Sequence, residues 1–318
     1  MSYFVPNESA LPCYHVGKGQ QFESFVDCVW SLQNDFSEKI IFVHGGEYDV
    51  FEEYRHSDVP RTPVDLQDVH SFRPYNAILS KNTHVIGLGV VVLKYMPTAE
   101  QTYLTESKVV SPLNLADSAT VENIEIHCKN GRYCIHDETM GIETFAGAQK
   151  RYKDVICHRY ENDGELGNAP CIGFGFDNMM SFEFDGCEFY SHNHGPAFYM
   201  HNRSNSGDYH HLPPNGEPRV HVPYTLEESS RIQARSCIIA TEDRSAPCVN
   251  LGVCTVRQHH VRVHFDGCFF SGPIVCKDEN SANGGTRPNP YDLRLLHCND
   301  VPVIIPYKDN VYPARIFK

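Results

Sequence analysis

The chain has 318 residues, 41% of them hydrophobic and 21% charged, which is enough to bury a sizeable core. Its formal charge is −13 with histidine neutral, and no cluster of Lys and Arg relieves it, so neither nucleic acid nor an anionic membrane surface is an expected partner. No run is long and apolar enough to span a bilayer and the first residues lack a signal-peptide core, so no membrane insertion is expected.

In chain order, residues 1–50 read as a leader and a capping helix that run into the first coil. Apolar Phe22, Phe25, Val26, Val29, Trp30 and Leu32 recur near helical period within 21–35. A short amphipathic helix there would cover an open sheet edge that is otherwise sticky. The segment IIFVHGGEYDV follows as strand, turn and strand, with Gly45-Gly46 at the turn, and NTHVIGLGVVVLKY (82–95) reads as the next rung.

From Val121 onward the chain repeats itself. The phrases Phe182-x-Phe184-x-x-Cys187, Ile232-x-Ala234-x-x-Cys237, Val263-x-Phe265-x-x-Cys268 and Leu293-x-Leu295-x-x-Cys298 each alternate with period two and then turn a corner. Gly186 and Gly267 stand at that corner, where a turn calls for positive φ. The last three copies are about 30 residues apart and the first step is about 50, so insertions are added to a basic rung. The fold class expected is all-β, a right-handed parallel β-helix over 51–305, with insertions near 139–170 and 203–228 and a tail or cap at 306–318. Asp185, Arg235 and Asp266, two places before each cysteine, predict an outward ladder of alternating charge. The 13 cysteines contain no CxxC pair, and those at the corners predict a reduced inward stack, with Cys128 and Cys157 as further members. Synthesis in a reducing cytoplasm follows from that reading.

The opening helix, IIFVHGGEYDV and HVIGLG together resemble the start of pectin-lyase-like right-handed β-helix proteins, and FDGC at Phe184–Cys187 and Phe265–Cys268 resembles their rung corners. NGRYCIHDE (130–138), CIGFGFDN (171–178) and FYMHN (198–202) look most like tailspike-type phage and prophage tail proteins of this fold. The resemblance spans nearly the whole chain. It implies the fold, and it implies a place on a virion tail, with bacterial surface polysaccharide and other tail proteins as partners and a homotrimer as the assembly. The enzymatic signatures of the superfamily are mostly missing: of the polygalacturonase-like set only Asn193-His194-Gly195 and Arg315-Ile316 remain, without the Asp-Asp pair. No cofactor is expected.

Two clusters carry chemistry. His192, His194, His201, His210 and His211 lie close in sequence, with Asp208 and Tyr209 beside the last pair. His192, His194 and His210 are candidate metal ligands, although no His-x-x-x-His spacing supports them; the other reading is a polar insertion. The second cluster is His136-Asp137-Glu138. Placed at the rung position of His201-Asn202, it would stack His136 on His201 and set Asp137 against Asn202. With Asp177 as a further carboxylate, alongside Asp163 and Glu165, these residues could cleave a glycosidic bond; otherwise they cap a solvated corner. Tyr190, Tyr199, Tyr209, Phe198 and Tyr224 offer flat faces for sugar rings near the 203–228 insertion, so a ligand face is expected to include Tyr190, His192, His194, Tyr199, His201, Asn202, Asp208 and Tyr209.

Three functions fit. One is a tail appendage that recognises a bacterial surface glycan, one is a polysaccharide depolymerase, hydrolase or lyase, built on Asp137, Glu138, Asp177 and His136, and one is a structural tail or baseplate component.

Overall fold

The computed structural model describes residues 11–32, 35–56, 78–80, 82–101, 111–115, 119–137, 149–164, 169–176, 181–202, 230–253, 261–278, 291–304 and 315–317. Its strands pair in parallel throughout, in one fifteen-stranded and one eight-stranded sheet. The chain is a parallel β-helix.

The larger sheet has two arms joined by the long strand Thr83–Tyr95. The first half of that strand pairs with Thr120–Glu122, and its second half pairs with Glu125–Cys128. The first arm continues through Gln149–Lys153, Ser181–Asp185, Ser230–Arg235, Val261–Asp266, Tyr291–Leu296 and Arg315–Phe317. The second continues through Ile156–Tyr160, Glu188–His192, Ile238–Thr241 and Phe269–Phe270. The eight-stranded sheet, from Ile78–Leu79 to Val303–Ile304, forms the remaining wall.

A left-handed residue turns the chain from the first arm to the second. Asn123, Asp154, Gly186, Ser236, Gly267 and His297 occupy this place in successive coils, with φ of 55°, 51°, 63°, 52°, 63° and 54°. Asp154, Gly186, Ser236 and Gly267 each donate their N–H to the carbonyl that precedes the corner of the next coil, at 2.8–3.0 Å. The corners therefore form a ladder of their own. The residue after each corner points inward: Ile124, Val155, Cys187, Cys237, Cys268 and Cys298, of which only Cys298 is not fully buried. The corner cysteines do stack as free thiols, but Cys157 and Cys128 sit two and four places beyond the inward residues Val155 and Ile124, in register with Phe189 and Arg159 respectively.

The interior is mostly apolar because the strands alternate, with Lys150 and Arg159 as fully buried exceptions. Phe184 stacks on Tyr152 at 5.1 Å and meets Phe174, Phe189 and Phe198 at 5.2–5.7 Å, and all five rings are buried. Each fully buried ring contributes roughly 1.5–3 kcal/mol. Outward, the expected charge ladder is present and longer than expected. Glu122, Lys153, Asp185, Arg235 and Asp266 are in register, and Lys153 Nζ lies 2.6 Å from Glu122.

The expected cap is a helix of seven residues, Phe25–Ser31. Ser24 caps it, accepting from Asp27 N at 3.1 Å, while the Glu53 carboxylate from helix Val50–His56 accepts from Val26 N and Ser24 Oγ. Burial pushes the Glu53 carboxyl up to about 6. The helix buries Phe25, Val26, Cys28 and Val29.

One boundary needs correcting. The stretch 139–170 is not one insertion, because Gln149–Lys153 and Ile156–Tyr160 within it are strands of a coil. The coil was hidden because it has Val155 where later coils have cysteine and Asp154 where two of them have glycine. The 203–228 insertion lies outside the described residues, whereas Arg315–Phe317 in the tail adds a strand to the first arm.

Candidate functional site

A cluster of histidines, tyrosines and carboxylates lies on the outer face of the second arm. In Glu125–Cys128, Ile156–Tyr160 and Glu188–His192 the inward places hold Ile126 and Cys128, Cys157 and Arg159, and Phe189 and Ser191, each at most 1% exposed. Alternation therefore sends Glu125, His127, His158, Tyr160, Glu188, Tyr190 and His192 outward. Register sets His127 beside His158 and His158 beside Tyr190, and in the next row Tyr160 beside His192.

The rings are close to parallel across coils. His158 and Tyr190 lie 5.1 Å apart at 11°, and Tyr160 and His192 lie 5.0 Å apart at 13°. Their faces are used on one another, so the row offers ring edges to a ligand. Flat platforms for sugar rings were expected here; at Tyr190 one ring face lies on His158, and its in-register neighbour on the other side is Ala240.

Hydrogen bonds tie the edges together. His127 Nε2 lies 2.6 Å from Glu125 Oε1, and its Nδ1 lies 3.0 Å from Tyr160 Oη. His158 Nδ1 lies 2.9 Å from His192 Nε2, and His192 Nδ1 lies 2.6 Å from Glu242 Oε1. Tyr190 Oη donates to Glu188 at 2.5 Å, and burial together with that carboxylate pushes its hydroxyl up to about 12. Burial, then the neighbouring imidazoles His127 and His192, hold His158 below the usual histidine range. It is half-buried and favours its neutral form.

Beneath this face Arg159 is fully buried. Its guanidinium donates to the carbonyls of Gly131 (2.7 Å), Arg132, Cys128 and Tyr160 and to Asn162 Oδ1 (2.8 Å). Five acceptors satisfy a cation in the core and pin the strand that carries His158 and Tyr160.

The sequence-predicted residues separate. Tyr190 and His192 lie on the outer face of the second arm. His194 lies past the end of its strand, exposed, with Nδ1 2.9 Å from Asp243, whose carboxylate holds it above the usual histidine range. Among the described residues His192 and His194 do not share a metal-ligand group; Glu125, His127 and His158 do. Asn193 is buried and accepts from Ser191 Oγ and Gly195 N, which makes Asn193-His194-Gly195 a turn brace. Tyr199 belongs to the eight-stranded sheet, in register with Gly173 and Asn250.

The proposed stacking of His136 on His201 is corrected. Strand Ile135–Asp137 pairs with Ile172–Phe176, which pairs with Phe198–Asn202, so a whole coil intervenes. His136 registers with Gly173 and then Tyr199, and Asp137 with Phe174 and then Met200. His136 is 1% exposed with the Tyr133 ring 5.1 Å away, rather than solvated or facing a groove. Tyr133 also covers Gly173, where a Cβ would come within 2.8 Å of the ring. Asp163 faces Lys129 and Asn130 at 2.6–2.8 Å as part of a turn. The side chains of Asp137, His201 and Asn202, and all of Glu138, Asp177, Asp208, Tyr209 and His210, lie outside the described residues.

No family model and no curated protein matches the chain. A solved structure to which it is similar is the pectin methylesterase from Aspergillus niger in deglycosylated form. The match is 11% identical, covers 96% of this chain and 89% of that one, and has a TM-score of 0.38.

Proposed function

We propose that this chain is a phage tail appendage that recognises a bacterial surface glycan through the outer face of its second arm. The observation that carries this reading is the half-buried row of Glu125, His127, His158, Tyr160, Glu188, Tyr190 and His192, with the exposed Glu242 at its end. Such a row mixes donors and acceptors at strand spacing, about 4.8 Å. Sugar hydroxyls both donate and accept, so a hydroxyl-rich chain laid along the coils could exchange water for these groups with little reordering. The resemblance of the 130–138, 171–178 and 198–202 segments to tailspike-type proteins supports the tail setting. In this reading the chain assembles as a homotrimer with other virion tail proteins after synthesis in a reducing bacterial cytoplasm.

The test is a screen of bacterial polysaccharides against the purified, reduced chain, with product sizing of any bound glycan. The expected result is retention of an intact glycan and a loss of about tenfold or more on Tyr190→Ala, the cost of a lost hydrogen-bonding contact. Release of shorter fragments would replace recognition with depolymerisation. A screen without hits, together with a stable complex with a tail protein, would favour the structural role.

A further inference from the structure

We propose that Glu125, His127 and His158 form a binding site for one divalent transition-metal ion of the zinc class. The inference goes beyond the glycan reading and does not depend on it, because it stands on ligand geometry alone.

One ligand atom from each of Glu125, His127 and His158 lies within 4.8 Å of the other two. Glu125 Oε1 is 2.6 Å from His127 Nε2 and 3.8 Å from His158 Nε2. A tetrahedral ion with bonds of about 2.0–2.1 Å spaces its ligands at about 3.3 Å, between those two values. A proton cannot serve all three atoms. It can bridge His127 to Glu125, but 3.8 Å is too long for a hydrogen bond from His158. An ion at the centre serves both rings.

The other nitrogens are already held in the way metal-bound imidazoles require. With Nε2 on the ion, each Nδ1 carries hydrogen. His127 then donates to Tyr160 Oη, and His158 donates to His192 Nε2, whose own Nδ1 donates to Glu242. Each of these contacts then has one donor and one acceptor. Such outer partners fix the ring orientation and raise the basicity of the ligand.

The surroundings admit a cation. Glu125, His127 and His158 side chains are 32%, 19% and 22% exposed, which leaves a path for an ion and a fourth position for water or a ligand oxygen. Lys94, in register with His127, is engaged by Glu47. Two imidazoles and one carboxylate with an open position suit zinc and its neighbours better than calcium or magnesium.

The experiment uses the full chain, reduced and stripped of metal by a chelator. It is titrated with zinc by calorimetry and with cobalt by absorption spectroscopy. The expected result is one ion per chain and a cobalt spectrum without a thiolate charge-transfer band, which separates this site from the cysteines. His158→Ala should lower affinity by at least about 100-fold, and Glu242→Gln by about tenfold, as outer-partner losses do. Glu125→Gln, nearly isosteric, provides a second ligand variant should His158→Ala fail to fold, and it too should bind at least about tenfold more weakly. No bound zinc, a thiolate band, or unchanged affinity in both ligand variants would overturn the proposal.

Discussion

The two arms of the large sheet are built by the same coils, yet they treat their outer faces differently. On the first arm Glu122, Lys153, Asp185, Arg235 and Asp266 follow one another with alternating sign, so every charge has an opposite neighbour. On the second arm, one corner later, His127 stands next to His158, and both point at a single carboxylate. The first row alternates in sign from coil to coil, and Lys153 pairs with Glu122 at 2.6 Å. The second sets like beside like around one carboxylate. Regular alternation marks structure, whereas its local breakdown on an equally regular scaffold marks a site.

Variants can break that comparison, the largest expected effect coming from the interior that both arms share. Phe184→Ala removes a ring packed on four others and should cost about 3–5 kcal/mol in chemical unfolding. A loss much below that would mean that the arms do not share one core. The corner between the arms comes next. Gly186 and Gly267 both have φ of 63°, but a Cβ at Gly186 would lie 2.6 Å from Asp154 Oδ1, against 3.8 Å from Ser236 Oγ at Gly267. Gly186→Ala should cost about 2 kcal/mol and Gly267→Ala about 1 kcal/mol. Equal costs would show that backbone strain alone governs the corner. The smallest effect belongs to the ladder. Lys153→Glu places like charges in a row and should lower stability by about 1 kcal/mol, less at high salt, because the side chain is partly exposed.

The part of this legible in the sequence follows from particular residues. Cys187, Cys237, Cys268 and Cys298, with Gly186 and Gly267 ahead of two of them, disclosed the corner, and period two then assigned both faces of the later coils. Asp185, Arg235 and Asp266 disclosed the ladder for the same reason. The earlier coils use Asn123-Ile124 and Asp154-Val155 at the corner. Without the glycine and cysteine marks, EIHC and ICHRY could not be aligned with EFYSH. That is why Tyr190 and His192 were found while Glu125, His127, His158, Tyr160 and Glu242 were missed. Aligning the inward places Ile126, Cys157 and Phe189 would have gathered them. The misplaced pairing of His136 with His201 arose because Cys171-Ile172-Gly173 begins a coil between them, and only strand register reveals it.

The account's central claim is that the second arm's outer face is a ligand site and the first arm's is not. The most direct measurement is the zinc-induced rise in unfolding midpoint for the native chain, Lys153→Glu and His158→Ala, under identical reducing conditions. An ion held only by the folded state raises stability by RT ln(1 + [L]/Kd), about 2.7 kcal/mol at a hundredfold excess over Kd. The account predicts that rise in the native chain and in Lys153→Glu, and its loss in His158→Ala. An equal rise in all three, or none in the native chain, would contradict it.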